Sequence, residues 1–391
     1  MNKYISIFFC VQIIALNLFA MQPKVTPVDY VRPQIDTHKS RWFFFSSASR
    51  PFGMVSLSPD TWTEGSWNSG YLYNSKEIRC FSHVHCWQLA GVPVMPTTGE
   101  VKGHKGMDAY KSTYSHETEI VKPGYHKVEL DTYQIRVELT STSRVGMHRY
   151  TYPAGEKANV LFDVGALLAH GKTEKAAIHR ISSKEIGGYS VLAPTSRRKK
   201  PVTVYFVARF NQNMTAFGGW EKEGKEKKLV HKNSIEGADI GGYASFGKLK
   251  KQTLLMKVGI SYVSEEQARI NLEKELAHWN FDRVKEDAFA EWNRELGKIT
   301  VEGGSEEEKI KFYTDLWHSL LGRHTFSDFN GKYIDNTGEE PVVRQVPLDN
   351  GTPTRNTYNS DAFWGSEFNL NILWSIAYPK VMSEFVSTLV D

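Results

Sequence analysis

The sequence predicts a large antiparallel β-sandwich that is followed by α-helices. Segments of alternating apolar and polar residues recur between about residues 40 and 263, separated by turns that contain Gly, Pro and Asn. Period-two alternation is typical of half-buried strands, and many such strands with little helical periodicity indicate a sandwich. From Ser264 onward the apolar residues recur at helical spacing instead.

Strands are predicted wherever the alternation is clearest. These segments are residues 126–131, 134–139, 145–152, 202–210 and 252–263. Residues 159–164 read Asn-Val-Leu-Phe-Asp-Val, which predicts a strand buried on both faces.

Three helices are predicted directly after the sandwich. Ser264-Glu-Glu-Gln is a capping box, in which the side chains of Ser264 and Gln267 satisfy free amides at a helix start. A second helix is predicted at residues 282–296. A third opens at Ser305-Glu-Glu-Glu, where acidic residues in the first turn favour the helix dipole.

The C-terminal region is predicted to be polar first and helical afterwards. Residues 326–359 contain a hairpin-like turn at 328–333, residues 366–378 form a helix before Pro379, and another helix begins near Val381. The last helix carries an apolar stripe that no later sequence covers: Met382, Phe385, Val386, Leu389 and Val390. We therefore expect an architecture that is interrupted partway.

Length and charge limit the classes of function. The 391 residues suffice for about two domains of roughly 100–200 residues each. A net charge of +4, dispersed along the chain, gives no reason to expect nucleic acid as a partner. The basic run at residues 197–200 is interpreted as a solvated turn.

The N-terminus predicts export. Lys3 precedes an apolar stretch at residues 5–19, and Ala20 is a small residue at a possible cleavage site. A membrane span needs about 20 apolar residues, so a signal peptide at residues 1–20 is favoured. The mature protein is then expected to begin near Met21, without a membrane span and as a monomer in the periplasm, on the cell surface or in the medium.

Two cysteines, Cys80 and Cys86, remain after that cleavage. In an extended strand they would lie about 20 Å apart on the same side, so a disulfide requires a turn between them. A closed zinc site would need a second pair of ligands at suitable spacing, and none is present. Buried free thiols are the first interpretation, and a disulfide is the alternative.

The most informative stretch for function is residues 41–87. It is dense in aromatic residues, Gly, Pro, Ser and His. Aromatic faces stack on sugar rings while short polar side chains bind hydroxyl groups, so this composition favours sugar binding. Trp62 and Trp67 stand in a Gly/Ser/Asn loop from which they could reach a glycan.

His83 and His85 alternate with Val84 and are predicted to share one face of a strand with Trp87. On the core side the imidazoles would need buried partners. On the open side the three side chains would form a shelf for a sugar ring. Both interpretations stay open, as do two for Asp60, which either shapes a turn after Ser58-Pro59 or contacts a ligand.

Several motifs together resemble those of the glycoside hydrolase family 92 exo-α-mannosidases. They are Arg-Pro-Phe-Gly-Met-Val-Ser-Leu-Ser-Pro-Asp-Thr at 50–61, Gly-Tyr-Leu-Tyr at 70–73, Cys-Phe-Ser-His-Val-His at 80–85, the segments 311–321 and 326–333, and Phe-Trp-Gly at 363–365. Their order and spacing agree over nearly the whole mature chain. Each motif alone is a weak signal.

The resemblance implies a β-sandwich domain at 21–263, a helical linker at 264–304 and the first helices of an (α/α)6 barrel at 305–391. It also implies calcium-dependent hydrolysis of terminal α-mannosides with inversion, at a site where the two domains meet. The general acid, the general base and most calcium ligands are expected beyond Asp391. The catalytic residues therefore have no assignment on this chain.

One position departs from the family pattern. The family commonly has Trp-Asp where this chain has Trp364-Gly365, and that Asp binds the sugar. Asp361 or Glu367 could substitute for it, although Asp361 also suits a helix N-cap. Trp364 either packs the barrel entrance or offers a sugar platform.

Inverting hydrolysis requires two carboxyl groups about 6.5–9.5 Å apart. Near the aromatic motifs the candidates are Asp60, Glu64, Asp361 and Glu367. The hypothesis from the sequence is the N-terminal portion of an α-mannosidase whose partner is a mannose-containing glycan. The alternatives are a carbohydrate-binding module without catalysis and an inactive truncated product.

Overall fold

The computed structural model describes residues 25–38, 45–63, 70–85, 91–166, 172–194, 198–360 and 366–390. Two antiparallel sheets form the first two-thirds of the chain, and helices follow. The sequence-based prediction of a sandwich followed by helices is confirmed. The predicted signal peptide lies outside the described residues, as do Glu64, Trp67, Cys86, Trp87, Asp361 and Trp364.

The first sheet has seven strands in the order β1-β3-β4-β10-β17-β14-β15. Their bounds are Ser58–Asp60 (β1), Cys80–Ser82 (β3), Val94–Thr98 (β4), Lys157–Phe162 (β10), Ala216–Glu223 (β14), Glu226–Val230 (β15) and Gly241–Lys248 (β17). Strand β10 is buried along nearly its whole length, as its apolar run predicts. At the edge of the sheet, β1 pairs with β3 so that Asp60 stands opposite Cys80.

The second sheet has nine strands in the order β16-β11-β12-β13-β18-β9-β8-β7-β6. Their bounds are Ile120–Lys122 (β6), Tyr125–Leu130 (β7), Ile135–Ser141 (β8), Val145–Thr151 (β9), Thr173–Arg180 (β11), Glu185–Leu192 (β12), Val202–Phe210 (β13), Ser234–Gly237 (β16) and Thr253–Ser261 (β18). A short ladder joins β2 (Glu77–Ile78) to β5 (Ser112–Thr113). Helix α1 (Pro27–Tyr30) precedes the sheets, and a 3-10 turn (Gly103–Lys105) and α2 (Met107–Tyr110) lie between β4 and β5.

A histidine pair connects the two sheets through the core. His83 follows β3 of the first sheet, and His148 belongs to β9 of the second. Their Nε2 atoms lie 2.8 Å apart, and both side chains are fully buried. His83 Nδ1 donates to the carbonyl of Val92, and the Tyr150 hydroxyl lies 2.8 Å from His148 Nδ1. Two neutral imidazoles satisfy this chain: His148 donates to His83, and Tyr150 donates to His148.

Three helices pack after the sandwich, at α3 (Glu265–Glu275), α4 (Phe281–Leu296) and α5 (Glu306–Ser319). Helix α3 covers the second sheet through Ala268 and Leu272, which share a core cluster with Val145 and Met147 of β9. All three predicted helices are confirmed, and α4 begins one residue earlier than predicted because Asn280 caps it through Arg283 N.

The predicted caps differ in how completely they form. Ser305 and Glu308 make both hydrogen bonds of a capping box at the start of α5. At α3 the Ser264 hydroxyl accepts from Gln267 N. The reciprocal bond is absent there, because Gln267 Oε1 is buried without a hydrogen-bond partner among the described residues. The predicted capping box at Ser264 is therefore half formed.

Two short hairpins and two helices end the described chain. The hairpins pair β19 (Lys332–Asp335) with β20 (Val342–Gln345), and β21 (Leu348–Asp349) with β22 (Thr352–Pro353). Lys200 Nζ donates to the carbonyls of Asn336 and Gly338 at the tip of the first hairpin. The basic run at 197–200 is therefore not a purely solvated turn, since one of its lysines holds a neighbouring hairpin.

The last helices are α6 (Leu370–Ala377) and α7 (Pro379–Val390). Helix α7 begins at Pro379 instead of near Val381, because proline is well suited to the first position of a helix. The predicted apolar stripe is partly covered: Phe385 is fully buried, whereas Val386, Leu389 and Val390 are exposed.

A loop of the sandwich holds the helices in place. Arg50 donates from Nε to the carbonyl of Ser141 (2.6 Å) and from Nη2 to that of Val284 in α4 (3.1 Å), and its Nη1 pairs with Glu291. Phe52, at a positive φ of 53°, receives a hydrogen bond from Thr325 N and donates its own N–H to Leu320 O.

The ring of Phe52 belongs to the core cluster of the helices. It packs edge-on against Tyr358, Trp374 and Tyr378 with centroid distances of 5.9–6.4 Å. One aromatic ring of the sandwich domain thus completes the core of the helical region.

Trp292 of α4 provides a test of this packing. It is fully buried, donates from Nε1 to Ser49 O (2.8 Å), and stacks at a tilt on Trp317. We expect Trp292→Ala to lower the free energy of unfolding by about 3–5 kcal/mol, and Trp292→Phe to lower it by less. Phe368, which is 78% exposed, supplies the control. In urea titrations, Phe368→Ala should change that free energy by less than about 0.5 kcal/mol, and an equal effect of both alanine variants would contradict the packing argument.

The histidine pair makes stability sensitive to acid. Burial lowers the pKa of His83 to about 4 and holds the pKa of His148 well below its usual range. The unfolded chain, with pKa values near 6.5, binds more protons below neutrality, so stability falls as pH decreases from about 7 toward 4. Between pH 7 and 5 the loss is about 2 kcal/mol per imidazole.

We expect His148→Gln, which keeps a donor near His83 Nε2 but does not titrate, to reduce the loss of unfolding free energy between pH 7 and 5. The measurement is urea unfolding at both pH values. His231 is exposed, so His231→Gln is the matched control and should leave the pH dependence unchanged. Identical pH dependence in the wild type and His148→Gln would show that the pair is not the source.

Candidate functional site

Asp60 and His85 form a buried pair at the edge of the first sheet. His85 Nε2 lies 2.9 Å from Asp60 Oδ1, and the side chains of Ser82 and Cys80 donate to Asp60 Oδ2, the latter from Sγ at 3.2 Å. The Asp60 carboxylate thus accepts from three side chains at once. The predicted turn at Asp60 is wrong, since residues 58–60 form strand β1.

Both ring nitrogens of His85 face oxygen acceptors, which hold the pair in place. Burial acts to lower the pKa of His85, but the charge and hydrogen bond of Asp60 outweigh it and leave the pKa raised. His85 Nδ1 contacts the carbonyl of Ser56 at 2.6 Å, and its backbone N–H donates to Ser56 Oγ. Burial and the nearby Asp60 charge raise the pKa of the Cys80 thiol, which is therefore a poor nucleophile. Cys80 is free, as the first interpretation of the cysteines predicts.

Gly70 closes a loop directly over this pair. A Cβ atom at Gly70 would lie 2.1 Å from Asp60 Oδ1 and 2.8 Å from His85 Nε2, and its φ of 84° also favours glycine. The carbonyl of Gly70 accepts from the backbone N–H groups of both Thr61 and Trp62. The backbone of Trp62 is therefore held in place by Gly70, and its side chain is 39% exposed.

His83 and His85 do not form an open shelf. Strand β3 ends at Ser82, so neither histidine belongs to it, and the predicted common face of a strand is wrong. Both side chains are buried, His83 with His148 and His85 with Asp60. The core-side interpretation is therefore correct for both imidazoles.

Of the remaining candidates, only Glu367 lies within the described residues. Glu367 is exposed at the start of the last helical region. Trp67, Trp87, Asp361 and Trp364 lie outside the described residues. The segment with Trp67 adjoins Trp62 and Gly70, and the segment with Trp87 directly follows His85, so both connect to the Asp60–His85 pair along the chain.

His324 and Asn359 bring the helical region to the same place. His324 Nδ1 donates to the carbonyl of Gly53 at 2.9 Å, which attaches it to the sandwich. His324 and Asn359 are joined in both directions: His324 N donates to Asn359 Oδ1, and Asn359 N donates to His324 O. Gly53 stands three residues before Ser56, whose carbonyl contacts His85 Nδ1.

The sequence analysis missed these residues. His324 precedes a recognised motif but shows no spacing that marks it as functional. Arg50 and Gly70 belong to motifs of the sequence, but the motifs do not reveal their roles. Arg50 binds groups of the sandwich and of α4, and Gly70 lies against the Asp60–His85 pair, so both roles depend on contacts between distant segments. Glycine within an aromatic loop is a weak signal of a close backbone approach.

Among the candidates near the aromatic motifs, the described carboxylates Asp60 and Glu367 do not form a catalytic pair. Asp60 is buried among its donors and Glu367 is exposed, so neither is poised as the acid or base of an inverting hydrolase. Calcium prefers six to eight oxygen ligands. Within the described ranges, no group of three or more His, Cys, Asp and Glu side chains is arranged to hold a metal ion. The described part of this region does not fit a calcium cage.

Comparison with known families shows two domain matches in this chain. The glycosyl hydrolase family 92 N-terminal domain matches residues 30–261, and the glycosyl hydrolase family 92 catalytic domain matches residues 267–391. Among the residues that the structure describes, no helix combines the length and apolar character that crossing a membrane requires.

Individual relatives are similar over most of this chain. An uncharacterised secreted glycosidase of Arthroderma benhamiae is 23% identical over 330 residues, which cover 76% of this chain and 40% of that protein. A family GH92 α-mannosidase of Bacteroides thetaiotaomicron superposes with a TM-score of 0.82 at 26% identity, covering 94% of this chain and 50% of its own. The same enzyme in complex with mannoimidazole superposes with a TM-score of 0.80 at 26% identity, covering 93% and 48%.

This chain thus spans about half the length, or less, of the relatives that it matches. Both of the family's domain descriptions match it in order, and together they span residues 30–391 apart from a short gap. The chain belongs to glycosyl hydrolase family 92.

Proposed function

We propose that this chain forms the sandwich side of the sugar-binding cleft in an exported α-mannosidase that removes terminal α-linked mannose from glycans. The observation that carries the proposal is the Asp60–His85 pair, which lies against Gly70, whose carbonyl in turn accepts from the backbone N–H of exposed Trp62. Membership of the family and the similarity to an α-mannosidase solved with mannoimidazole support the choice of sugar.

The division of labour follows from the chemistry. Exposed Trp62 offers an apolar face to a pyranose ring, while the buried pair beneath it keeps the loop base rigid. Bond cleavage with inversion would require a protonated carboxyl group and a second carboxylate that activates water. We propose that both reside in a longer form of the protein, beyond Asp391.

The remaining expectations belong to the same proposal. Helices α5, α6 and α7 would be the first helices of an (α/α)6 barrel. Calcium would be held mainly by residues outside this chain, where it would help to bind the sugar, and none of the described residues is assigned as its ligand. Export is supported by the relative described as secreted.

A carbohydrate-binding module without catalysis is the second candidate. The observation in its favour is that the Asp60 carboxylate already accepts hydrogen bonds from other side chains of the protein, whereas Trp62 is exposed. Binding of mannose oligosaccharides by a longer form of the protein, without any turnover, would favour this candidate.

Turnover by the 391 residues tests the assignment of roles. We expect no hydrolysis of aryl α-mannoside or mannobiose above background, with or without added calcium, because the described carboxylates lack a suitable pair. The assay measures released phenol and mannose. Robust turnover would overturn the proposal and require a carboxylate pair within this chain.

Trp62 is expected to contribute to glycan binding. Trp62→Ala should weaken binding of mannose oligosaccharides at least about fivefold, which corresponds to about 1 kcal/mol, because a stacking face is lost. Calorimetry measures the change. Phe329, also exposed but on the hairpin region, gives the control Phe329→Ala, which should bind like the wild type. Equal affinity of Trp62→Ala and the wild type would remove Trp62 from the site.

A further inference from the structure

His324 carries a hydrogen-bonding atom without a partner at the junction of the two domains. Its Nδ1 lies 2.9 Å from the carbonyl of Gly53, whereas its Nε2 has no accessible surface and no hydrogen-bond partner among the described residues. A buried polar atom without a partner costs about 1–3 kcal/mol of folding free energy. Such an atom in a native structure needs an explanation, and an absent ligand is one.

The chemistry of this ring is fixed by its surroundings. A backbone carbonyl can only accept, so the hydrogen bond to Gly53 O places a proton on Nδ1. Burial lowers the pKa of His324 to about 4, and the nearby charges of Arg323 and His85 act in the same direction. The imidazole is therefore neutral at physiological pH, and Nε2 offers a lone pair that can only accept.

The position of His324 relates this acceptor to the proposed cleft. Gly53 attaches it to the sandwich, and Asn359, which stands just before the segment with Asp361, attaches it to the helical region. Gly53 stands three residues before Ser56, whose hydroxyl and carbonyl hold His85. His324 thus contacts one segment of the sandwich and one of the helical region, and each adjoins sugar-binding candidates.

We propose that Nε2 of His324 accepts a hydrogen bond from a hydroxyl group of the mannose unit bound at this junction, and so helps to select the sugar. This inference rests on the proposed function. A sugar hydroxyl can donate to this lone pair without bringing a positive charge next to the guanidinium of Arg323. Since Nε2 has no accessible surface, binding requires a local rearrangement whose cost the new hydrogen bond helps to offset.

Two amide substitutions separate the two ring nitrogens. His324→Asn places an amide where Nδ1 lies, so it can keep the hydrogen bond to Gly53 O while deleting the acceptor at Nε2. His324→Gln places its amide oxygen where Nε2 lies, so it can restore the acceptor while losing the bond to Gly53 O. Circular dichroism and urea unfolding verify that each variant is folded.

The probe is methyl α-D-mannoside, titrated calorimetrically into the wild-type chain and both variants. We expect His324→Asn to bind about tenfold more weakly at nearly unchanged stability. His324→Gln should bind within about threefold of the wild type, although it is less stable. A purely structural role predicts the reverse order, with affinity following stability.

A series of deoxy methyl α-mannosides, each lacking one hydroxyl group, identifies the donor. One analogue should bind to the wild type and to His324→Asn with equal affinity, because both then lack the same hydrogen bond. Equal affinity of the two proteins for the parent mannoside overturns this inference and leaves the proposed function intact. Absence of any mannoside binding by the wild-type chain overturns both.

Discussion

The insertion of one loop of the sandwich into the helical region is the contact on which the rest of the architecture depends. The guanidinium of Arg50 donates to the carbonyl of Ser141 in a strand, to the carbonyl of Val284 in α4 and to the carboxylate of Glu291 in α4. One planar guanidinium can serve all three acceptors because it carries five N–H donors. Two residues later, the ring of Phe52 completes an aromatic core that belongs to the helices. Arg50 and Phe52 are nearly adjacent. A displacement of one domain would therefore break the partly buried Arg50–Glu291 ion pair and, at the same time, leave a cavity where the Phe52 ring packs. The junction is thereby held as a single rigid unit.

That rigidity explains how a site can be assembled from segments that are far apart in sequence. Gly53 follows the inserted ring directly and supplies the carbonyl that orients His324. The Asp60–His85 pair occupies the neighbouring edge of the sheet, where the buried Asp60 carboxylate also accepts hydrogen bonds from Ser82 and Cys80. The sandwich therefore contributes the carbonyl of Gly53 and the Asp60–His85 pair, and the helical region contributes His324.

The strands and helices could be predicted from the sequence, whereas the side-chain contacts of the candidate site could not. The strands at β7, β8, β9, β13 and β18 and the starts of α3, α4 and α5 follow from local periodicity and caps, so they could be predicted. The orientation of His83 and His85 could not, because β3 ends at Ser82, before both of them, and their partners, His148 and Asp60, come from other strands. Alternation predicts a face only while the strand continues. The family motifs indicated the location of the site, but the roles of Gly70 and His324 depend on contacts between distant segments.

The hydrogen bond that joins Trp62 to Gly70 has a consequence for how far the sequence between these two residues can change. One carbonyl, that of Gly70, receives the N–H groups of both Thr61 and Trp62, so the two ends of the loop are joined whatever residues lie between them. Changing the length of a loop whose ends are already held costs little free energy, roughly 0.6 kcal/mol for each doubling. The residues between Trp62 and Gly70 can therefore change in number with little effect on the stability of the sandwich.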